Sequence, residues 1–402
     1  MSAAEVVVVG GGPGGATVAT LLARRGRQVV LVERSPAWRW RACGVFSSPA
    51  AVTALRRAGV DEGVLRSATR PVTAMRVEAD DGTAFRLTYG GDGSLDRSAV
   101  GFDREALDTA LLDMARAAGV EVRAGVTLTG AVFGRGRQRL AIRDGNGMDE
   151  VETQLLVGAD GVRSTVARLA GAVRPARLGP RIGLTFHVVD PRSDDIRDAR
   201  MVLADHAYCG LAPVPGGRVN VGIVLGGPTW QRRLAADGAA RVVNDVLAAI
   251  PRAPDDEVDW ASAERCDPIE GAAPLGHRVA RRSGDGWLLV GDAAGFLDPL
   301  TGEGLHRALL SAAQAAAAVD AHLDGRPGAL DDYERAMARR FRAKDLVTLL
   351  VQGIAARPVL FRHVARRLAH RADLRETMGL VMGDLMPATR ALEPAFLAAL
   401  LG

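Results

Sequence analysis

The most constraining feature of this sequence is a compact unit in its first 33 residues, where an apolar run, a cluster of glycines, a helix-like segment and a second apolar run follow one another. The run of valines that ends at Val9 is typical of a strand buried on both faces of a parallel sheet. In the Gly-x-Gly-x-x-Gly pattern that follows, the first glycine permits a tight turn, the second lets a pyrophosphate approach the backbone, and the third lets the helix pack on the strand. Glu33 ends the second strand, where an acid accepts hydrogen bonds from a ribose. The unit predicts a dinucleotide site with the candidate residues Gly10, Gly12, Pro13, Gly14, Gly15, Glu33 and Arg34.

A second stretch, from Trp287 to His306, has the pattern of a buried strand, a turn and the start of a helix. Its strand ends at a Gly-Asp pair. In open α/β sheets ligands collect at the carboxyl ends of strands, where Asp292 can accept hydrogen bonds from a polyol chain. A proline and two glycines then interrupt the chain before an Ala/Leu-rich helix, whose free N–H groups favour negative charge in front of them. The candidate binding residues of this stretch are Gly291, Asp292, Pro299, Gly302 and Gly304.

Length, charge and cysteine usage narrow the class of protein. A chain of 402 residues can bury more than one core, so two or three structural units are expected. The formal net charge is only +4 and the arginines are spread along the chain, with Lys344 as the one lysine, which argues against nucleic-acid binding. No apolar run reaches the ~18 residues that a membrane span needs. Three widely spaced cysteines and scattered histidines predict neither disulfides nor a metal site, and a cytoplasmic location is expected.

Periodicity and turn residues divide the rest of the chain into three parts. After the glycine unit, a hairpin and a helix lead into a β-meander, which returns to the parallel sheet at Leu155. An antiparallel sheet of four strands follows, and the last part of the chain is helical. The expected elements are hairpin strands at 72–77 and 83–89, a helix at 103–118, meander strands at 120–123, 127–133, 140–144 and 150–157, sheet strands at 181–189, 200–203, 209–213 and 218–225, a short helix at 244–250, and helices at 304–318, 330–350, 359–370 and 394–401.

Three motifs, in this order and spacing, resemble the FAD-dependent monooxygenase superfamily that includes p-hydroxybenzoate hydroxylase. They are the glycine fingerprint, Gly158-Ala159-Asp160-Gly161-x-x-Ser164 and Gly291-Asp292-Ala293-Ala294, and the resemblance covers about the first 325 residues. It implies FAD as the cofactor. It also implies NAD(P)H as a transiently docked reductant, since no second glycine fingerprint follows a strand. Arg104 would contact the FAD, Asp160 and Gly161 would stiffen its site, and Asp292 would bind the ribityl chain.

The expected fold is α/β (α+β overall), with an interrupted Rossmann-like FAD-binding parallel sheet, an antiparallel substrate-binding sheet and a helical C-terminal region. The resemblance implies that the second sheet covers the flavin and carries the substrate. The helical region is basic, so contact with a membrane surface is conceivable, although a solvated face is the favoured interpretation. The expected boundaries are 1–70, 91–175 and 276–325 for a discontinuous FAD-binding domain, 71–90 and 176–275 for the antiparallel-sheet domain, and 326–402 for the helical region.

The reaction type has two main alternatives, because the wider superfamily also includes geranylgeranyl reductases and flavin-dependent halogenases. We favour NAD(P)H-dependent hydroxylation of a hydrophobic aromatic or polyketide-like small molecule through a hydroperoxyflavin. For that chemistry the protein must position the substrate and exclude water from the flavin, and it needs no particular side-chain acid. The alternative is a reductase that saturates a C=C bond of an isoprenoid or other lipid-like substrate. The segments from Gly295 to Gly304 and from Arg41 to Gly44 resemble that branch, whereas its Tyr-x-Trp reads Tyr208-Cys209-Gly210 here.

Two minor alternatives are a halogenase and a non-catalytic flavin-binding protein. Halogenases use an active-site lysine and a Trp-x-Trp-x-Ile-Pro segment, but here the one lysine, Lys344, is expected to lie far from the flavin, and Trp38-Arg39-Trp40 lacks the Ile-Pro. For Cys43 the two interpretations are a proton donor and a small buried hydrophobic residue. The candidate catalytic residues are Cys43, His206 and Tyr208, and Arg41 is a further candidate for cofactor binding.

Overall fold

The computed structural model describes residues 4–90, 95, 97–134, 136–177, 179–196, 198–204, 207–250 and 259–402. In chain order the strands are β1 (Ala4–Val9), β2 (Val29–Glu33), β3 (Phe46–Ser47), β4 (Thr69–Val72), β5 (Ala74–Glu78), β6 (Ala84–Thr88), β7 (Ala99–Phe102), β8 (Glu121–Ala124), β9 (Thr127–Phe133), β10 (Gln138–Asp144), β11 (Gly147–Gly158), β12 (Val173–Arg174), β13 (Arg181–Val189), β14 (Asp198–Ala204), β15 (Ala207–Val214), β16 (Arg218–Gly226), β17 (Glu270–Leu275), β18 (Arg278–Val279), β19 (Ser283–Gly284) and β20 (Trp287–Leu289).

The helices alternate with these strands in the first part of the chain and follow one another in the last. They are α1 (Pro13–Ala23), α2 (Pro49–Ala58), α3 (Glu62–Ala68), α4 (Arg104–Ala117), α5 (Thr165–Leu169), α6 (Gly227–Ala248), α7 (Gly304–Leu323), α8 (Ala329–Ala355), α9 (Pro358–His370), α10 (Ala372–Met382) and α11 (Pro394–Leu401). Short 3₁₀ turns lie at Pro191–Asp194, Gly291–Ala294, Pro299–Thr301 and Ala388–Leu392.

The first sheet is the predicted Rossmann-like unit. Its main order is β19-β20-β11-β1-β2-β8, and the pairs from β20 to β8 are parallel. Strand β11 is long enough to pair with β10 at one end and with β1 at the other, so the β9–β10 hairpin interrupts the unit while staying in the same sheet. Val6 and Val8 are fully buried against α1 and α7, and Val7 and Val9 are buried on the other face, which explains why β1 is apolar from Val6 to Val9.

The second sheet has the order β17-β13-β16-β15-β14-β5-β6. Its pairs are antiparallel, as the sequence predicts, except that β14 runs parallel to β5. The predicted hairpin 72–89 therefore joins this sheet as β5 and β6, with its sequence far from that of β14. One face packs Leu184 and Phe186 on α6, and the other packs Met75 and Phe85 against the C-terminal helices.

A third, small sheet of β3, β7 and β4 connects the two large ones. Gly101 of β7 lies against the second sheet so closely that a Cβ there would overlap the carbonyl oxygen of Pro213 in β15. This close approach brings the loop that follows β2, which carries Trp40 and Cys43, under the face of the second sheet. Thr185 of β13 donates a hydrogen bond to the carbonyl oxygen of Cys43 at 3.3 Å.

The prediction of one helix is wrong in extent, and another helix is missing from the prediction. The short helix expected at 244–250 is the end of α6, which begins at Gly227 and is kinked at Gly238, where φ is 78°. Such a glycine breaks the apolar periodicity and hides the longer element. Helix α10 is not predicted at all. It contains Gly379, a poor helix former, because a Cβ there would overlap the carbonyl oxygen of Thr88 in β6.

Within the described ranges, no helix combines the length and the apolar character that crossing a bilayer demands.

Candidate functional site

The glycine turn after β1 gives its three fingerprint glycines three different environments. Gly10 has φ 106°, and a Cβ there would overlap the carbonyl oxygen of Ala159. A Cβ at Gly15 would overlap the carbonyl oxygen of Gly10, so α1 packs on the strand only through a glycine. At Gly12, by contrast, no described atom lies within 4 Å of the Cβ position. Gly10 and Gly15 therefore shape the turn, and Gly12 leaves an open place in front of α1.

Glu33 closes one side of this open place. Its carboxylate accepts hydrogen bonds from the N–H groups of Gly11 (2.8 Å) and Ser35 (2.9 Å) and from the Arg41 guanidinium (2.7 Å). Burial raises the pKa of Glu33, but these donors outweigh it and hold the pKa below its usual value. The sequence predicted both Glu33 and Arg41 as cofactor residues, and the structure places them side by side. Arg34 is exposed and does not line the cleft that the described residues form here.

The cleft beside Glu33 encloses about 190 Å³ and is lined by Gly11, Gly12, Trp38, Arg41 and Arg104 among others. Arg104 is the first residue of α4, held there by the N-cap Asp103. Its guanidinium forms an ion pair with Asp108 at 2.7 Å and donates a hydrogen bond to the Sγ of Cys43. Burial lowers the pKa of Arg104, and the Asp108 carboxylate and Cys43 thiol raise it by more, so the side chain is a permanent cation.

Asp160 and Gly161 lie behind the glycine turn. The Asp160 carboxylate accepts hydrogen bonds from the Oγ of Ser164 (2.6 Å) and the N–H of Thr165 (2.6 Å), so it caps the start of α5. Gly161 has φ 78°, which the turn between β11 and α5 requires. Since Gly10 packs directly against Ala159 and Asp160, this cap stiffens the wall on which the glycine turn rests.

The stretch after β20 folds back on α7. Gly291 (φ 58°) donates its N–H to the Oγ of Ser311 at 2.9 Å, and the next residue, Asp292, turns toward Arg104 and Arg307. Burial raises the pKa of Asp292 to about 6, and the two guanidinium groups oppose the rise. Gly295 has φ 133°, a conformation that a side chain strains. Gly302 has φ 64°, and a Cβ there would approach the Phe46 ring to 2.6 Å.

The start of α7 lies next to the Gly291–Ala294 turn and has no side-chain cap, as at most helix starts in the described part of this protein. Side chains cap α3, α4 and α5, through Asp61, Asp103 and Ser164 respectively. No side chain in the described part of the chain caps α7, and the same holds for α1 behind Gly12. A helix start without a cap leaves N–H groups for an anion or for developing negative charge. Helices α1 and α7 also touch each other, with Gly14 against Ala308.

Residues 3–349 match the FAD binding domain family. The chain belongs to this family. It is similar to menaquinone reductase of Mycolicibacterium smegmatis, with 28% identity over 75% of this chain and 73% of that protein. It is also similar to digeranylgeranylglycerophospholipid reductase 2 of Methanopyrus kandleri, with 30% identity over 76% of this chain and 74% of the relative. A flavoprotein/dehydrogenase from Cytophaga hutchinsonii has the same fold, with a TM-score of 0.81 at 21% identity over 95% of this chain and 93% of that one.

The predicted superfamily, the fold class and FAD as the cofactor are thereby confirmed, and the protein is an FAD-dependent oxidoreductase. Its residues fit the cofactor, because Gly12 leaves a cradle that any Cβ would fill and α1 and α7 present uncapped starts. In this flavoprotein, the roles of single side chains toward FAD stay predictions. The residues that would hold FAD are Gly10, Gly12, Pro13, Gly14, Gly15, Glu33, Arg41, Arg104, Asp160, Gly161, Gly291, Asp292, Pro299, Gly302 and Gly304.

The three catalytic candidates have different outcomes. Cys43 is partly buried between Arg104 and the Asp292 stretch, so it lies where cofactor residues converge. Tyr208 is buried, and its hydroxyl donates to the Oδ1 of Asp298 at 2.5 Å. Burial raises the pKa of Tyr208 well above its usual value, and its catalytic role stays a prediction. His206 lies outside the described residues.

No sequence motif singled out Asp298, whose side chain is fully buried. It belongs to the stretch from Trp287 to His306, which is named the flavin stretch here. Its carboxylate accepts hydrogen bonds from Tyr208, the Gln352 amide (2.6 Å) and the N–H of Leu300 (2.9 Å), and it forms an ion pair with Arg181 at 2.5 Å. This cluster ties β13, β15 and α8 to the turn before α7. An acid directly before Pro299 was a signal for a capped turn, but nothing in the sequence shows which distant donors it meets.

The expectation that Lys344 is remote from the flavin stretch is wrong. Its Nζ lies 3.5 Å from the Oε1 of Glu303, the residue before α7. It does not stand free as a halogenase lysine would, because it donates to the Val381 carbonyl oxygen and to the Asp384 carboxylate, each at 2.6 Å. The one sequence signal for a special role of Lys344 was that it is the only lysine in a chain rich in arginine. The folding of α8 and α10 against α7, which the sequence does not show, brings it to the site.

Proposed function

We propose that this flavoprotein is a reductase that saturates a C=C bond of an isoprenoid or other lipid-like substrate. The observation that carries the proposal is the contact of Cys43 with Arg104: its Sγ accepts a hydrogen bond from this guanidinium, and Arg104 lines the cofactor cleft. Saturation of a C=C bond adds a hydride to one carbon and a proton to the other. Reduced FAD supplies the hydride when it is bound. The chain must then supply the proton.

Cys43 is suited to hold that proton. Burial raises the pKa of the thiol and the Asp292 carboxylate adds to the rise, while Arg104 opposes it, so the thiol keeps its proton at neutral pH. Once the proton has moved to the substrate carbon, the Arg104 guanidinium stabilises the thiolate that remains. Solvent then returns the proton to the Sγ. Cys43 is thus the donor, and Arg104 holds the charge that the transfer leaves behind.

The departure at Tyr208-Cys209-Gly210 does not count against a lipid-like substrate. In the second sheet, the missing side chain of Gly210 is covered by Met201 of β14, whose Cε would lie 3.3 Å from a Cβ at Gly210. Further partly buried apolar side chains, Phe46, Phe296 and Leu300, belong to the same apolar cluster next to the flavin stretch. The apolar wall is therefore present and is supplied by a neighbouring strand.

Gly295 supports the same interpretation. Aromatic hydroxylases carry His at this position of the motif, but φ 133° at Gly295 strains any side chain. The two curated relatives described above are both named as reductases of isoprenoid-bearing molecules. We propose NAD(P)H as the source of electrons, on the superfamily resemblance alone. Hydroxylation, which the sequence analysis favoured, becomes the outcome that the experiment must exclude.

The experiment mixes photoreduced, FAD-loaded protein with a menaquinone or a geranylgeranyl lipid in the absence of oxygen. The proposal predicts reoxidation of the flavin with loss of one substrate double bond, measured by absorbance and mass spectrometry. Reoxidation only after oxygen is admitted, with a product that contains one added oxygen atom, would show hydroxylation instead. Failure of both substrate classes to reoxidise the flavin would overturn the proposed substrate class.

A further inference from the structure

A set of charged side chains that belongs to no predicted motif surrounds the first turn of α7. Lys344 of α8 contacts the Glu303 carboxylate on one side and the Asp384 carboxylate on the other. Arg307, one turn into α7, pairs with Glu303 at 3.0 Å and with Asp345 of α8. All of these side chains are largely buried. Buried ion pairs are costly to form, so their concentration at one helix start needs an explanation.

Asp384 is the residue of this charged set that comes from the helical C-terminal region. It follows α10 and has φ 58°, the one positive φ outside glycine among the described residues. Its Oδ2 accepts hydrogen bonds from the Nδ1 of His306 (3.0 Å) and from the Oγ of Ser48 (2.7 Å). Burial raises the pKa of Asp384, but His306 and Lys344 lower it by more, to well below its usual value. The carboxylate is therefore ionised, and it holds a residue of the first turn of α7.

The position of this network matters because of what lies in front of it. The α7 start has no side-chain cap, and in a flavoprotein of this superfamily its N–H groups would face the reduced flavin. A charge buried behind a helix start acts on that site with little screening, whereas an exposed charge on the same helix is screened. Lys344 and Asp384 carry opposite charges, so their removal has opposite electrostatic effects.

We propose that Lys344 and Asp384 are positioning residues for the flavin, which act through Glu303 and His306 on the first turn of α7 and set the charge behind it. The C-terminal helical region is then part of the cofactor site, although it contains none of the cofactor motifs. The proposal rests on FAD binding alone. It holds for a reductase and for a monooxygenase, and it survives failure of the proposed substrate class.

The test is the midpoint potential of the bound flavin in Lys344→Met and Asp384→Asn, measured by reductive titration against reference dyes. Loss of the lysine removes a buried positive charge next to the Glu303 and Asp384 carboxylates, so the potential falls. Loss of the Asp384 charge raises it. Lys344→Arg keeps the cation and returns the potential toward that of the parent protein. Two exposed residues provide matched controls, Arg339→Met on α8 and Asp373→Asn on α10, and both leave the potential unchanged.

Opposite shifts in the two variants support the proposal. Equal potentials, or shifts of the same sign, overturn it, because simple loosening of the helix gives no reason for opposite signs. If a variant does not retain FAD, a second measurement on the parent protein tests the proposal. Lys344 is the one lysine, so acylation of its amine reports whether the network is closed. The proposal predicts several-fold slower acylation with FAD bound than without it, and the same rate in both states contradicts it.

Discussion

The starts of α1 and α7 are alike in function and different in construction. Both lack a side-chain cap, and both belong to the stretches that the sequence singles out for the cofactor. The polar contacts of the α1 start come from nearby in the chain, while its backbone also packs against Ala159 and Ala308. Its longest-range polar contact, from the Gly11 N–H to Glu33, joins residues 22 positions apart. The start of α7 depends on Asp384, which lies 78 positions from His306 and 336 from Ser48.

This difference shows that backbone packing stabilises the start of α1, whereas side-chain charges stabilise the start of α7. Around α1, close backbone packing excludes side chains, and a glycine pattern is enough to specify it. Around α7, charges from the helical region replace backbone packing. Added atoms at Gly10 or Gly15 would therefore disturb the start of α1. At the start of α7, the loss of a charge would be the disturbing change. Three changes test this contrast, in order of decreasing expected effect.

Lys344→Ala should be the most damaging change at the α7 start. Removal of the cation breaks two buried ion pairs and leaves Glu303 with Arg307, and Asp384 with His306, as the remaining charged partners. We expect unfolding to become easier by about 3–5 kcal/mol, as when one partner of a buried pair is removed. Urea denaturation of the FAD-free protein measures it. Arg371→Ala breaks the exposed pair with Asp373 and serves as the control, with a much smaller expected loss because solvent screens this pair. Similar losses in both variants would remove the distinction between the network and an ordinary surface pair.

At the α1 start, Gly15→Ala should act through added volume. The new methyl overlaps the Gly10 carbonyl oxygen, so α1 must move, and we expect a loss of about 1–3 kcal/mol in the FAD-free protein. Gly12→Ala is the matched control, because its Cβ meets no described atom within 4 Å. It should leave the stability of the FAD-free protein within about 0.5 kcal/mol and weaken FAD binding. A Gly12→Ala protein that binds FAD normally would show that the cofactor does not approach this glycine.

Glu33→Gln should change how stability depends on pH. The pKa of Glu33 in the folded chain is lowered from its ordinary value of 4.5, so its contribution is complete above that value and is lost as the pH falls through the lower folded pKa. We expect the variant to lose about 1–2 kcal/mol at neutral pH and to lose less of its stability than the parent on acidification. Denaturation at a series of pH values measures both. Parallel pH profiles for the two proteins would contradict the assignment.

The sequence predicts the parts of the molecule whose support is local. The glycine turn, β1, β2 and the hairpin of β5 and β6 follow from periodicity and turn residues within a few positions. Helices α2 and α3 are missing from the prediction although their start signals are local, whereas two other features depend on a distant contact. Gly379 lowers the helix signal of α10 because β6 requires a glycine there, and the parallel pairing of β14 with β5 joins strands that no local pattern connects.

The candidate site divides in the same way. Glu33, Asp160 and Asp292 follow strands, and their places at the strand ends are predictable from the sequence. Asp298, Lys344 and Asp384 gain their partners only when the helical region folds back on the sheets. Their place in the site therefore could not be predicted from their residue types. The judgement that Lys344 is remote failed for this reason.

The most direct test of the reductase assignment is an anaerobic single turnover in D₂O, with an isoprenoid substrate and the reduced protein, for the parent and for Cys43→Ala. The account predicts one double bond lost and solvent deuterium bound to the carbons of the former double bond. In the variant this step should slow by roughly 10²–10⁴-fold, as expected when a general acid is removed, while the midpoint potential of the flavin is unchanged. Turnover of the Cys43→Ala protein at the parent rate would remove the thiol from the mechanism. A requirement for oxygen would contradict the assignment itself.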